Sequence, residues 1–106
     1  MTTNYTLVFD DVMIKQLKKV AKNNHIKEIL IKMLDKLELS GPSTGELLDS
    51  QLSLHEIKIK HPPIRLYFKH NKTTNEIYVF EFEMKTSLEK QKATITKLKK
   101  KAGLKP

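Results

Sequence analysis

Between Ser40 and about Gln51 the hydrophobic period of this chain changes, and the change decides which class of fold is open to it. Upstream, Ile26, Ile29, Leu30, Met33, Leu34 and Leu37 recur at i, i+3 and i+4 from about His25 to Leu39. Lysines and Asp35 occupy the other side, as on an amphipathic helix. Downstream, Ile57 and Ile59 alternate with Glu56, Lys58 and Lys60, and Ile64, Leu66 and Phe68 alternate with Arg65, Tyr67 and Lys69. That is the period of half-buried strands. Helical and strand periods kept in separate stretches predict an α+β domain.

The punctuation refines this reading. Tyr5–Phe9 has strand composition, and Asp10 and Asp11 suit the N-terminus of a helix carrying Val12, Leu17, Val20 and Ala21 as far as Lys22. Asn23-Asn24 breaks it, so the first two helices form a hairpin, and Gly41-Pro42 ends the second. Strands are expected from Leu54 to Lys60, Ile64 to His70 and Glu76 to Glu83, with a bend at Pro62-Pro63 and a hairpin loop at Asn71–Asn75. Thr86 followed by Glu89 has the form of a capping box, which predicts a last helix from Ser87 to Lys101. Its apolar candidates are Leu88, Ala93, Ile95 and Leu98. Residues 1–106 therefore read as one domain: a three- to four-stranded antiparallel sheet, an N-terminal helical hairpin on one face and a C-terminal helix.

Composition narrows the chemistry. There is no cysteine, which removes disulfides and thiol catalysis. No apolar run approaches a membrane span and Met1–Tyr5 lacks a signal pattern, so no membrane is involved and a cytoplasmic location is expected. His55, His61 and His70 show no metal-ligand spacing, so neither metal nor cofactor is expected. The formal net charge is +8, and after Glu89 the chain has lysines but no acid. Such a block favours a polyanionic partner, nucleic acid or an acidic protein segment; a merely lysine-coated, soluble helix is the plainer reading.

Of the 20 Lys and Arg residues only Arg65 is an arginine, and it sits in the run Ile64-Arg65-Leu66-Tyr67-Phe68. A guanidinium presents a planar fork that fits a phosphate two oxygens at a time. Alternation and antiparallel pairing bring Arg65 beside Lys58 and Lys60. The competing reading pairs Arg65 with a carboxylate, Glu56 or Glu81. Glu56, Glu83, His61 and Tyr67 are the nearby proton-transfer groups, and Tyr67 would either stack on a base or pack under a helix.

The order of elements resembles the RelE/ParE toxin superfamily, its phage-derived HigB-like branch above all. The likeness covers most of the chain and rests on Leu37-Glu38-Leu39-Ser40-Gly41-Pro42, Leu54-His55-Glu56-Ile57-Lys58-Ile59, Ile64-Arg65-Leu66-Tyr67-Phe68 and Phe82-Glu83-Met84-Lys85-Thr86. It implies the toxin of a type II toxin–antitoxin module, a metal-independent endoribonuclease that cuts mRNA on the ribosome and stops translation. Its partners would be a cognate antitoxin, the ribosome and mRNA. Arg65, Lys58, Lys85 and Glu56 are the catalytic candidates, and Lys60, His61, Tyr67 and Lys69 the RNA-binding ones. Lys58 stands where the family has an arginine and Met84 where it has a lysine, and both changes thin the charge offered to a phosphate. A gyrase-inhibiting ParE-like toxin and a catalytically silent protein that only binds an antitoxin are the alternatives.

Overall fold

Asp10 turns the chain out of strand β1 (Thr6–Phe9) into helix α1 (Asp11–Val20), its carboxylate accepting the Val12 N–H at 2.9 Å. Asn23 does the same for α2 (Asn24–Ser40), accepting the Ile26 N–H at 3.2 Å. Both caps satisfy helix N–H groups that have no partner inside the helix. The computed structural model describes residues 4–84 and 87–105. Gly41 ends α2 with φ +67°, and a Cβ there would collide with the Tyr5 ring, so only glycine fits. A single 3-10 turn (Gly41–Thr44) then leads to β2 (Glu46–Asp49), β3 (Leu54–Ile59), β4 (Ile64–Asn71), β5 (Glu76–Met84) and helix α3 (Leu88–Gly103). Among the described residues no helix is long and apolar enough to cross a membrane.

The sheet has five strands in the order β1-β5-β4-β3-β2. β1 runs parallel to β5 and the other neighbours are antiparallel. The expected three- to four-stranded antiparallel sheet is thus corrected to a mixed five-stranded one. β2 was hidden in the Ser40–Gln51 stretch, whose Ser, Gly, Thr and Pro content reads as loop. The direction of β1 is set by a partner some seventy residues away, roughly, and no local pattern encodes it.

Ile64, Leu66 and Phe68 of β4 and Ile77, Val79 and Phe82 of β5 meet Met13, Ile26, Leu30, Met33 and Leu37 of the helical hairpin in the main core. Helix α3 lies on the other face, where Leu98 and Ala102 pack with Leu54, Tyr67 and Phe80. The register slips between Tyr67 and Phe68, which pair with Glu81 and Val79 and leave Phe80 as an extra residue. The bulge lets Phe80 and Glu81 both serve the α3 side. Past Val79, where β1 ends, the free edge of β5 is closed by the Gln16 amide. It donates to Phe82 O at 2.8 Å and accepts Phe82 N–H at 3.0 Å, in place of a further strand.

Two expectations for α3 change. Ser87 caps it, accepting Lys90 N–H at 3.2 Å, while Thr86 of the proposed capping box lies outside the described residues. The buried residues are Thr94, Leu98 and Ala102, whereas Leu88 and Ala93 are exposed and Ile95 is half-buried. The face turned to the sheet is chosen by polar partners as well as by apolar ones.

Candidate active site

Register places Lys58, Arg65 and Glu83 in one row across β3, β4 and β5, with Glu56, Tyr67 and Glu81 in the next row. Because side chains alternate along a strand, all six stand on the α3 face. Arg65 is the central residue of the first row. It borders an open hollow of about 360 Å³ together with Lys58, Lys60, Pro63 and Glu83.

The guanidinium is oriented from behind. Its Nη1 donates to Glu56 Oε1 at 2.9 Å, with Glu56 4% exposed and Arg65 23% exposed. Gln91 of α3 donates to the other Glu56 oxygen at 3.4 Å. A buried carboxylate needs such partners to stay charged, and here they also fix the fork. One end of the guanidinium is committed to Glu56; its remaining N–H donors are the ones available to an anion in the hollow.

Glu83 is held in a similar way. Tyr67 Oη donates to Glu83 Oε1 at 2.8 Å, and Thr94 Oγ1 donates to Glu83 Oε2 at 2.6 Å. Burial above all, and then the bond to Glu83, keep the Tyr67 hydroxyl protonated far above the usual tyrosine range. Glu81, in the same row as Glu56, has Lys97 Nζ at 2.9 Å from Oε1, out of line for a hydrogen bond, so the pair acts through charge alone. Helix α3 thus brings Gln91, Thr94 and Lys97 to three buried sheet carboxylates.

The structure brings together Arg65, Lys58 and Lys60, with Glu56 behind them, and places Tyr67, Lys69 and His61 outside that hollow. Tyr67 is fully buried beneath α3, so its ring offers no stacking platform. Lys69 points to the far end of α3 and donates to the Ala102 and Lys105 carbonyls at 2.7 and 2.6 Å, a role in capping that helix. His61 is exposed and lines a different groove, between α2 and β3. Lys85 lies outside the described residues. The pairing of Arg65 with Glu56, read from sequence as the competitor of a site, coexists with an open basic hollow. Sequence reading missed Gln91 and Thr94: their only signal is a helical spacing of three, which has no meaning until the carboxylates opposite are known. Among the described residues no three His, Cys, Asp or Glu side chains gather as a metal site would need.

No protein-family model matches the sequence, and no curated protein matches it. Solved structures do match. A free-state mutant of the E. coli toxin RelE superposes with TM-score 0.65 at 19% identity, covering 89% of this chain and 97% of that one. A RelBE toxin–antitoxin complex from Mycobacterium tuberculosis gives 0.63 at 14% identity, over 77% of this chain and 99% of that one. The YoeB-YefM toxin–antitoxin complex from Staphylococcus aureus gives 0.59 at 18% identity, over 77% and 98%. The fold of this chain is therefore that of RelE.

Proposed function

We propose that the chain is the toxin of a toxin–antitoxin pair, of the HigB-like kind, and that it cleaves mRNA on the ribosome at the Arg65 hollow. One observation carries the reading: the only guanidinium of a RelE-like sheet stands, already oriented, at an open hollow shared with Lys58 and Lys60. The likeness to RelE and YoeB, and to complexes with antitoxins, supports the toxin role and the antitoxin partner.

Cleavage of RNA through its own 2′-hydroxyl forms a 2′-oxygen–phosphorus bond and breaks the bond to the 5′ oxygen. The 2′ proton must go to a base, and the 5′ oxygen must receive one as it leaves. Arg65 would bind the phosphate oxygens, whose charge grows in the transition state, with Lys58 and Lys60 sharing that charge. Glu83 is the carboxylate that lines the hollow, and it is the better acceptor of the 2′ proton than Glu56. Its two present hydrogen bonds leave further lone pairs, since a carboxylate offers about four acceptor sites. Glu56 then acts by positioning Arg65.

The test is mRNA cleavage by purified protein added to translating ribosomes. Arg65→Ala is expected to lower the rate by about 10²–10³, the scale on which a single oxyanion donor contributes. Arg65→Lys keeps a charge beside Glu56, so the fold is preserved while the fork is lost, and it should recover only part of the rate. Equal cleavage by Arg65→Ala would reject the mechanism. A second reading, a silent protein that only binds an antitoxin, is favoured by the engagement of Arg65 with Glu56; it predicts no cleavage by the wild type. Gyrase-linked DNA breaks with intact mRNA would favour the ParE-like alternative.

A further inference from the structure

Beyond Glu83, where Gln16 closes the edge of β5, a second open hollow of about 380 Å³ lies between α1, β5 and α3. Phe82 and Met84 give it an apolar part, and the exposed Lys90 and Lys97 of α3 border it. Glu83 lines both this hollow and the Arg65 hollow, so the two are neighbours across one side chain. The other carboxylate in the lining is Glu81, about 7 Å back along the same face of β5. Glu81 is 6% exposed, and among the described residues its Oε1 is the one buried side-chain nitrogen or oxygen without a hydrogen bond. Lys97 Nζ stands 2.9 Å from it, out of line, on a side chain that is more than half exposed. Both Glu83 oxygens, by contrast, hold a hydroxyl donor. Buried acceptors are ordinarily matched, so an orphan one at a hollow marks the place for a donor from outside the chain.

We propose that this hollow is a guanine subsite, in which the Glu81 carboxylate accepts the N1–H and N2–H of a base in single-stranded RNA. Its place rests on the reading of the Arg65 hollow as the phosphate site: with a phosphate at Arg65, the neighbouring base reaches past Glu83 to Glu81. An ionised carboxylate only accepts hydrogen bonds. On its pairing edge guanine turns two adjacent donors outward, whereas adenine, cytosine and uracil set an acceptor beside each donor. That acceptor would face the second carboxylate oxygen. Bases of single-stranded RNA are read on this edge. Phe82 and Met84 offer the ring apolar contact, and Lys97 leaves Glu81 for a phosphate oxygen without breaking a hydrogen bond.

The lining argues against other occupants. An arginine side chain carries a similar pair of donors, but it brings a positive charge to a hollow bordered by Lys90 and Lys97. A neutral guanine does not, and its phosphates are drawn to the same lysines. A metal ion meets the same repulsion, and among the described residues no third ligand gathers with the two carboxylates.

The probes are GMP, IMP, AMP, CMP and UMP, titrated separately into the full chain without ribosomes. They carry the same phosphate, so attraction to lysine cancels in the comparison. GMP should shift the methyl signals of Met84 and Thr94 and bind about tenfold more tightly than IMP, which lacks only the N2 amino group, since a hydrogen bond to a charged partner is lost. AMP, CMP and UMP should bind no better than IMP. Glu81→Gln keeps the shape and exchanges one acceptor for a donor, so it should bring GMP and IMP within about twofold. A 2′-O-methyl tetranucleotide holding one guanine, which cannot be cut through its own 2′ oxygen, should move Met84 and Thr94 together with Ile59 and Ile64 of the Arg65 hollow. Equal binding of GMP and IMP by the wild type overturns the proposal without need of a variant. Tighter binding of methylguanidinium than of GMP overturns it too, and assigns the hollow to an arginine of a protein. Tetranucleotide shifts confined to the Arg65 hollow do the same for RNA. A guanine preference without mRNA cleavage rejects the cleavage reading alone, and cleavage without the preference rejects the subsite alone.

Discussion

The two faces of the sheet are built by opposite means. Against the hairpin, Met13, Leu30, Met33 and Leu37 meet Leu66, Phe68, Ile77 and Val79, an apolar layer on both sides. Against α3, only Leu98 and Ala102 with half-buried Ile95 supply apolar area from the helix, and the same interface buries Glu56, Glu81 and Glu83. Those carboxylates would be costly to bury alone, and each is reached by a side chain of α3. One face secures the fold; the other trades packing for charge, and the Arg65 hollow opens beside it.

The largest effect should come from breaking the apolar face. Leu30→Ala, at a fully buried position, should lower the unfolding free energy by ~2–5 kcal/mol, read from urea denaturation. Leu98→Ala removes the same groups from the α3 face, yet the helix there has little else apolar to hold it. Its first consequence should be local: backbone amides of α3 should exchange hydrogen well before those of β4 and β5. Simultaneous opening of helix and sheet in that variant would show that both faces form one cooperative unit, and the contrast would fail.

A smaller effect sharpens the same contrast. Tyr67→Phe keeps the buried ring and removes the hydroxyl that donates to Glu83. Leaving a buried acceptor one partner short should cost ~1–3 kcal/mol. Thr94→Val removes the other donor to the same carboxylate and should cost a similar amount. Because both act on Glu83, the double variant should depart from additivity, whereas either combined with Leu30→Ala should add. Strict additivity of Tyr67→Phe with Thr94→Val would mean that Glu83 does not couple them.

The same contrast explains what could be read from sequence. Elements facing the hairpin announce themselves by period, because Ile26, Leu30, Met33 and Leu37 or Ile64, Leu66 and Phe68 need only an apolar partner, whichever it is. Arg65 and Lys58 were legible too, since alternation and a short hairpin fix their pairing. The α3 face was not. Half-buried Gln91 and buried Thr94 turn inward to reach Glu56 and Glu83, distant in sequence, and nothing local marks them as inward. Tyr67 stayed open between two readings for a related reason: a tyrosine at a polar strand position reads as a surface platform as readily as a covered ring until the helix over it is placed. Four-residue β2 carries too short a pattern to be told from the loop around it, and the parallel pairing of β1 depends wholly on long-range contact.

The smallest test separates the faces by pH. The hairpin face holds one buried titratable ring, His55, stacked on Phe68 with centroids 4.9 Å apart and its Nδ1 2.8 Å from Ser53 O. Burial above all, opposed by the Ser53 bond and helped by the neighbouring His70 and Lys72, pulls its pKa below the ordinary 6.5. The unfolded chain therefore takes up this proton first as pH falls. Stability from His55 is complete above about 6.5, declines below it, and levels off once the folded ring is protonated too. On the other face, Asp10 ties α1 to α3 through Lys101 Nζ at 3.3 Å. Burial opposes its ionisation, but the Val12 N–H, the Tyr78 hydroxyl and Lys101 together hold its carboxyl below the ordinary 3.8. That contribution is present above the ordinary value and is lost only as pH falls through the lower folded one. Urea midpoints measured from pH 7.5 to 5 should therefore drop in the wild type and drop less in His55→Gln. Asp10→Asn should lower stability throughout that range without changing the slope. If His55→Gln keeps the full wild-type slope, the mildly acidic response does not come from His55, and the assignment of that pH window to the hairpin face fails.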